Sequence, residues 1–112
     1  MDATQAVQAL AALAQTSRLA VFRALVVAGR RGHTPSELAS ALALGAPALS
    51  FHLKELLRAG LVTQERDGRR LIYRAELVQM NALLAYLTEN CCEGQHCAVT
   101  NPFECKTCDP VE

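Results

Sequence analysis

The clearest pattern in the chain lies between Thr34 and Arg74, where the spacing of apolar positions changes from helical to alternating. Thr34-Pro35-Ser36-Glu37 has the form of a helix start. Threonine can accept from a free N–H, proline suits the first helical position, and Glu37 can reach back to the cap. Leu38, Ala39 and Leu42 give this short helix its stripe, and Leu44-Gly45 is its expected end, with the glycine taking the left-handed turn. A second helix is predicted from about Ala46-Pro47 to Ala59, stopped by Gly60. Two β-prone runs follow, 61–66 and 69–74, around Asp67-Gly68, a dipeptide that signals a hairpin. A loop made of that pair would set Glu65 opposite Arg70. Helix, turn, helix and basic hairpin make up the winged helix-turn-helix plan, which reads double-stranded DNA.

The flanking segments are helical in pattern. Residues 3–15 carry Val7, Leu10, Ala11 and Ala14 on one stripe. Thr16 or Ser17 can cap a second helix to about Ala28, with Leu19, Phe22, Leu25 and Val26 inward. Gly29-Arg30-Arg31-Gly32 then forms a basic loop. After the hairpin, residues 76–90 place Leu77, Met80, Leu83, Leu84 and Leu87 at helical spacing. From Asn90 onward no apolar period survives, and Gly94, Pro102 and Pro110 break any helix. The expected organisation is a DNA-binding and dimerisation domain over 1–90 and a cysteine-rich tail over 91–112. The first and last helices carry more apolar surface than one small core needs. They are expected to pair across a twofold axis, giving a homodimer suited to a palindromic operator.

Composition narrows the class. The chain of 112 residues is 51% hydrophobic but only 4% aromatic, so its core must be mostly Leu, Ala and Val. No uncharged apolar run could cross a bilayer and nothing resembles a signal peptide, so a cytoplasmic protein with no membrane partner is expected. The formal net charge of zero hides a segregation: residues 1–78 carry +4 and residues 79–112 carry −4. The basic part coincides with the DNA reader.

On a helical wheel of residues 46–59, Leu49, Leu53, Leu56 and Leu57 face the core. Pro47, Phe51, Lys54 and Arg58 lie opposite, with Ser50 and His52 on the flanks. A helix entering the major groove uses its N-terminal half on base edges, which selects Ser50, Phe51, His52 and Lys54, with Arg58 further along. An outward phenylalanine can touch a thymine methyl or pack against a neighbouring element. Arg66, Arg69 and Arg70 on the hairpin can reach phosphates or the minor groove.

All five cysteines, Cys91, Cys92, Cys97, Cys105 and Cys108, lie in the tail. In a reducing compartment such a crowd favours metal or redox chemistry over structural disulfides. Adjacent Cys91 and Cys92 set two sulfurs close together, and the Glu93-Gly94-Gln95-His96 loop can return Cys97 to them. Three thiolates suit a soft ion with pyramidal three-coordination, such as trivalent arsenic or antimony. Zinc normally takes four ligands. His96 or the Cys105-x2-Cys108 pair could complete a zinc, cadmium or lead site, and a disulfide among these thiols would make a redox switch. An enzyme using the thiols directly lacks the strand–helix alternation and loop context that such chemistry needs.

Three segments together resemble the ArsR/SmtB family of metal-sensing repressors, over roughly residues 8–97. They are Leu10-Ala11-Ala12-Leu13-Ala14-Gln15-Thr16-Ser17-Arg18-Leu19, the run from Ser50 to Val62 and the run from Arg66 to Arg74. The resemblance implies a dimeric winged helix with its first and last helices at the interface, which binds operator DNA without the ion and releases it when the ion binds. Many arsenic-responsive members carry Cys-x-Cys on the helix before the reader, whereas Glu37-Leu38-Ala39-Ser40-Ala41-Leu42 has no cysteine. The last helix also lacks the paired Asp and His residues of the family's zinc sensors. The run from Thr88 to Cys97 is similar to arsenic sensors whose three thiols follow the last helix. By that match Cys91, Cys92 and Cys97 are the inducer ligands for As(III) or Sb(III), and Cys105 and Cys108 fall outside it.

Overall fold

A computed structural model describes residues 1–90. The cysteine tail and the ligand set Cys91, Cys92 and Cys97 lie outside the described residues. The elements are α1 (Ala3–Leu13), α2 (Thr16–Ala28), a 3-10 turn (Gly29–Arg31), α3 (Pro35–Leu42), α4 (Ala46–Arg58), β1 (Val62–Asp67), β2 (Arg70–Ala75) and α5 (Leu77–Leu87). This is the expected mainly helical chain with a two-stranded antiparallel wing. No single helix among the described residues is long and apolar enough to cross a membrane.

The helix ends are set locally, and α3 starts as its sequence predicts. Thr34 Oγ1 accepts from the Glu37 N–H at 3.3 Å, and Glu37 Oε1 accepts from the Thr34 N–H at 3.0 Å. Its end differs from expectation. Ala43 takes the left-handed turn at φ +54, while Gly45 is extended and serves as the N-cap of α4. A left-handed alanine costs about 1 kcal/mol, and here it leaves glycine free to start the next helix two residues later. Helix α4 does stop at Gly60, at φ +77. The Gly60 N–H donates to Leu57 O at 3.0 Å and the Leu61 N–H to Leu56 O at 3.0 Å, the Schellman pairing, with both leucines of the outer bond buried. Helix α2 is capped by Gln15, whose Oε1 accepts from the Arg18 N–H at 2.7 Å, rather than by Thr16 or Ser17.

One core joins every helix to the wing: Ala6, Ala9 and Ala12 of α1, Val21, Phe22 and Leu25 of α2, Leu38 of α3, Leu49, Leu53 and Leu56 of α4, then Leu61, Val62, Tyr73 and Leu83. Packing chooses the inner faces of the first two helices. On α1 the stripe of Val7, Leu10, Ala11 and Ala14 is the exposed face, and Ala6, Ala9 and Ala12 point in. The small side chains let α1 lie close against α2 and α4, which Val7 and Leu10 would prevent. On α2, Val21 takes the buried place expected for Leu19, which is exposed.

The loop of the wing also sits one residue later than expected. Asp67 pairs with Arg70, so the two-residue loop is Gly68-Arg69 with Gly68 at φ +65. A loop of Asp67-Gly68 would demand positive φ at both central residues, whereas this one needs it only at glycine. Glu65 therefore faces Ile72, not Arg70, and its carboxylate reaches diagonally to Arg74 Nη1 at 2.7 Å. Partners move by two positions, so each side chain keeps its face. The root of the wing is tied to the α2–α3 connection. His33 and Tyr73 exchange backbone hydrogen bonds of 3.0 and 2.8 Å. A Cβ on Gly32 (φ +64) would stand 2.5 Å from the Tyr73 carbonyl oxygen, so this approach requires glycine.

Candidate nucleic-acid interface

The outward face of α4 is built by exclusion. Leu49, Leu53 and Leu56 are held in the core, which turns Pro47, Ser50, Phe51, Lys54 and Arg58 to solvent. Phe51 is 53% exposed and gives this face a large apolar side chain. Arg58 Nη2 donates to Glu55 Oε1 at 2.7 Å along the same helix. His52 is the exception among the expected groove residues. It is only 8% exposed, and its Nδ1 accepts from Arg18 Nε at 3.4 Å. Burial, and then the neighbouring guanidinium, push its pKa below the usual histidine value, which favours the neutral ring. His52 therefore belongs to the packing behind the reader face, a correction of its expected flank position.

On the wing, Arg66, Arg69 and Arg70 are all exposed. Arg70 is not a free tip. Its Nη2 lies 3.6 Å from Glu37 Oε2, and Arg31 Nη2 approaches the same oxygen at 3.8 Å. The His33 ring nitrogen Nδ1 stands 3.2 Å from Glu37 Oε1. The Thr34 amide, then His33 and Arg31, hold the Glu37 carboxyl below the usual carboxylate range. Arg74 Nε donates to Arg30 O at 2.6 Å. The basic loop of residues 29–32, predicted only as a connection, thus lies against the wing and adds Arg30 and Arg31 to its positive surface. Sequence spacing had no signal for this, since the contact joins residues about forty positions apart.

The reader helix carries a basic outer face, and a basic hairpin follows it directly. Such a unit can place a helix in a major groove and a wing on the adjacent backbone. Among the described residues no three His, Cys, Asp or Glu side chains are gathered as a metal site. The class defined by this geometry is a winged helix-turn-helix DNA-binding regulator.

Comparison with known proteins agrees. Residues 13–65 match the family described as "Helix-turn-helix domain". The chain is 31% identical over 91 residues to the HTH-type transcriptional regulator YgaV of Escherichia coli K12, covering 81% of this chain and 90% of that protein. An ArsR-like transcriptional regulator from Rhodococcus sp. RHA1 superposes with a TM-score of 0.68 at 30% identity, over 75% of this chain and 76% of that one. A homodimeric winged helix-turn-helix DNA-binding domain from Mycobacterium bovis, a possible ArsR-family regulator, superposes with a TM-score of 0.61 at 27% identity, over 86% and 89% of the two chains. The chain belongs to the ArsR/SmtB family of helix-turn-helix transcriptional regulators.

Proposed function

We propose that this regulator is a repressor that binds operator DNA as a metal-free homodimer and releases it when arsenite or antimonite is bound by the thiolates of Cys91, Cys92 and Cys97. The observation that carries the reading is the adjacency in sequence of three thiols to α5. Helix α5 ends at Leu87, four residues before Cys91. Leu77, Val78 and Leu87 of α5, with Val7 and Leu10 of α1, form apolar surface left outside the protomer's core. The homodimeric M. bovis relative supports a second copy as the cover for it. A clamp of three sulfurs at the end of an interface helix changes the relation between the two protomers. Because half-sites lie about one helical turn apart, a small change in dimer geometry weakens both sets of contacts. A coupling of about 1–3 kcal/mol lowers operator occupancy severalfold or more.

The test is a titration of reduced, metal-free protein on operator DNA with arsenite. Release should be stoichiometric, and replacing Cys91, Cys92 or Cys97 by Ser should leave a DNA-binding protein that ignores arsenite. Replacing Cys105 and Cys108 together should change little. If Cys97→Ser releases normally and the Cys105/Cys108 double variant does not, the ligand set is wrong. Parallel titrations with zinc, cadmium, lead and a thiol oxidant distinguish the divalent-metal and disulfide readings of the same tail.

A further inference from the structure

Arg18 joins three parts of the molecule that the DNA reading uses separately. It lies in the first turn of α2, just past the 100° bend that separates α1 from the helical run to Arg31. Its Nη1 donates to Ala12 O at 3.3 Å, near the end of α1, where helix carbonyls lack partners and the macrodipole is negative. Its Nε donates to Nδ1 of buried His52 at 3.4 Å. An Nε–H can donate there only to an unprotonated Nδ1, so the ring carries its hydrogen on Nε2. The guanidinium carbon lies 5.5 Å from the centroid of the Phe51 ring, within cation–π range. The ring's other aromatic neighbour is His52, tilted by 59° with centroids 5.9 Å apart.

A half-buried cation fixed at two points therefore lies against an exposed ring on the outward side of the reader helix. Without it, a solvent-facing phenylalanine would exchange among rotamers, and ordering it on DNA would oppose binding. We propose that Arg18 is a positioning residue for base readout: it fixes the Phe51 ring for apolar contact with a thymine 5-methyl group, and so sets sequence preference without touching a base. The inference rests on the operator-binding reading above. Lysine at position 18 keeps the charge but loses the planar fork that can bond at two points and lie on a ring.

The experiment uses full-length reduced protein and a duplex selected by the wild type from a random library. Each thymine is replaced in turn by deoxyuridine, which removes only the methyl group. At one or two positions per half-site the replacement should weaken wild-type binding about fourfold, the worth of one buried methyl-sized group. Arg18→Lys and Phe51→Ala should each abolish that penalty at the same positions. Phe51 is exposed, so its variant tests the contact even if Arg18→Lys folds poorly. Arg18→Gln should leave the salt dependence of binding unchanged, because Arg18 touches no phosphate. A methyl penalty that persists in Arg18→Lys or Phe51→Ala, or is absent from the wild type, overturns the inference. A salt slope shallower by about one unit in Arg18→Gln would show that Arg18 meets a phosphate directly and overturn it as well. If the wild type selects no duplex at all, the operator-binding reading itself fails.

Discussion

Val7 and Leu10 stand outside the core of the protomer, and their truncation tests whether a second copy covers them. They are 63% and 43% exposed on α1, whose opposite face of Ala6, Ala9 and Ala12 is buried. Complete burial of a valine or leucine side chain contributes about 2 kcal/mol, so covering only the exposed fractions contributes about 2 kcal/mol for the pair. A twofold axis doubles this to about 4 kcal/mol per dimer, of which truncation to alanine removes about 3 kcal/mol. The Val7→Ala/Leu10→Ala variant should therefore dimerise about a hundredfold more weakly. Sedimentation across a dilution series gives the dimer constant, and circular dichroism checks that the helices persist. Operator binding should weaken in parallel, since each half-site would then be held by a single protomer. Ala9→Leu is the contrasting variant: it overpacks the inner face and should cost the protomer about 1–3 kcal/mol of stability. A dimer constant within about threefold of wild type for the double variant, with helicity intact, would refute the assignment of this face to the interface.

Other expectations follow from single sites. Lys54→Ala and Arg69→Ala should weaken operator binding and leave arsenite binding intact, with the salt dependence shallower by about one unit for each phosphate no longer neutralised. Gly32→Ala combines positive φ with a close approach to the Tyr73 carbonyl, and should destabilise the fold by about 2 kcal/mol, read by denaturant unfolding. His52 has a lowered pKa in the folded protein, so the unfolded chain binds more protons as pH falls below the ordinary value of about 6.5. Its contribution to stability is complete above that pH and is lost on acidification toward the lower folded value. The pH-dependent part of the unfolding midpoint should therefore be smaller in His52→Gln than in wild type, and an equal dependence would refute the role given to this ring.

What the sequence determined on its own is the set of features decided within one or two helical turns. The capping box at Thr34, the Schellman stop at Gly60 and the leucine stripe of α4 form in the structure as their spacing implies. Each depends on backbone groups no more than a few residues apart, so local sequence contains the whole of the energetics. The proposed ligand set of Cys91, Cys92 and Cys97 rests on a spacing and a family likeness, and lies outside the described residues. The inward face of α1 was not legible, because a helix of alanines with Val7 and Leu10 has apolar residues on both sides. Periodicity can detect an apolar face but cannot choose between two, and only close packing against α2 and α4 selects the smaller side chains. The phase of the wing was open for a similar reason: either two-residue loop keeps every side chain on its own face, and backbone strain at Asp67 or Gly68 decides between them. His52 sits at the edge of the leucine stripe, where a small rotation separates groove from core. Packing of Leu49, Leu53 and Leu56 into the core settles that rotation, and Arg18, thirty-four positions away, then meets the ring nitrogen. The tertiary structure thus decided which of several locally equivalent faces is buried, because burial is fixed by neighbours distant in sequence.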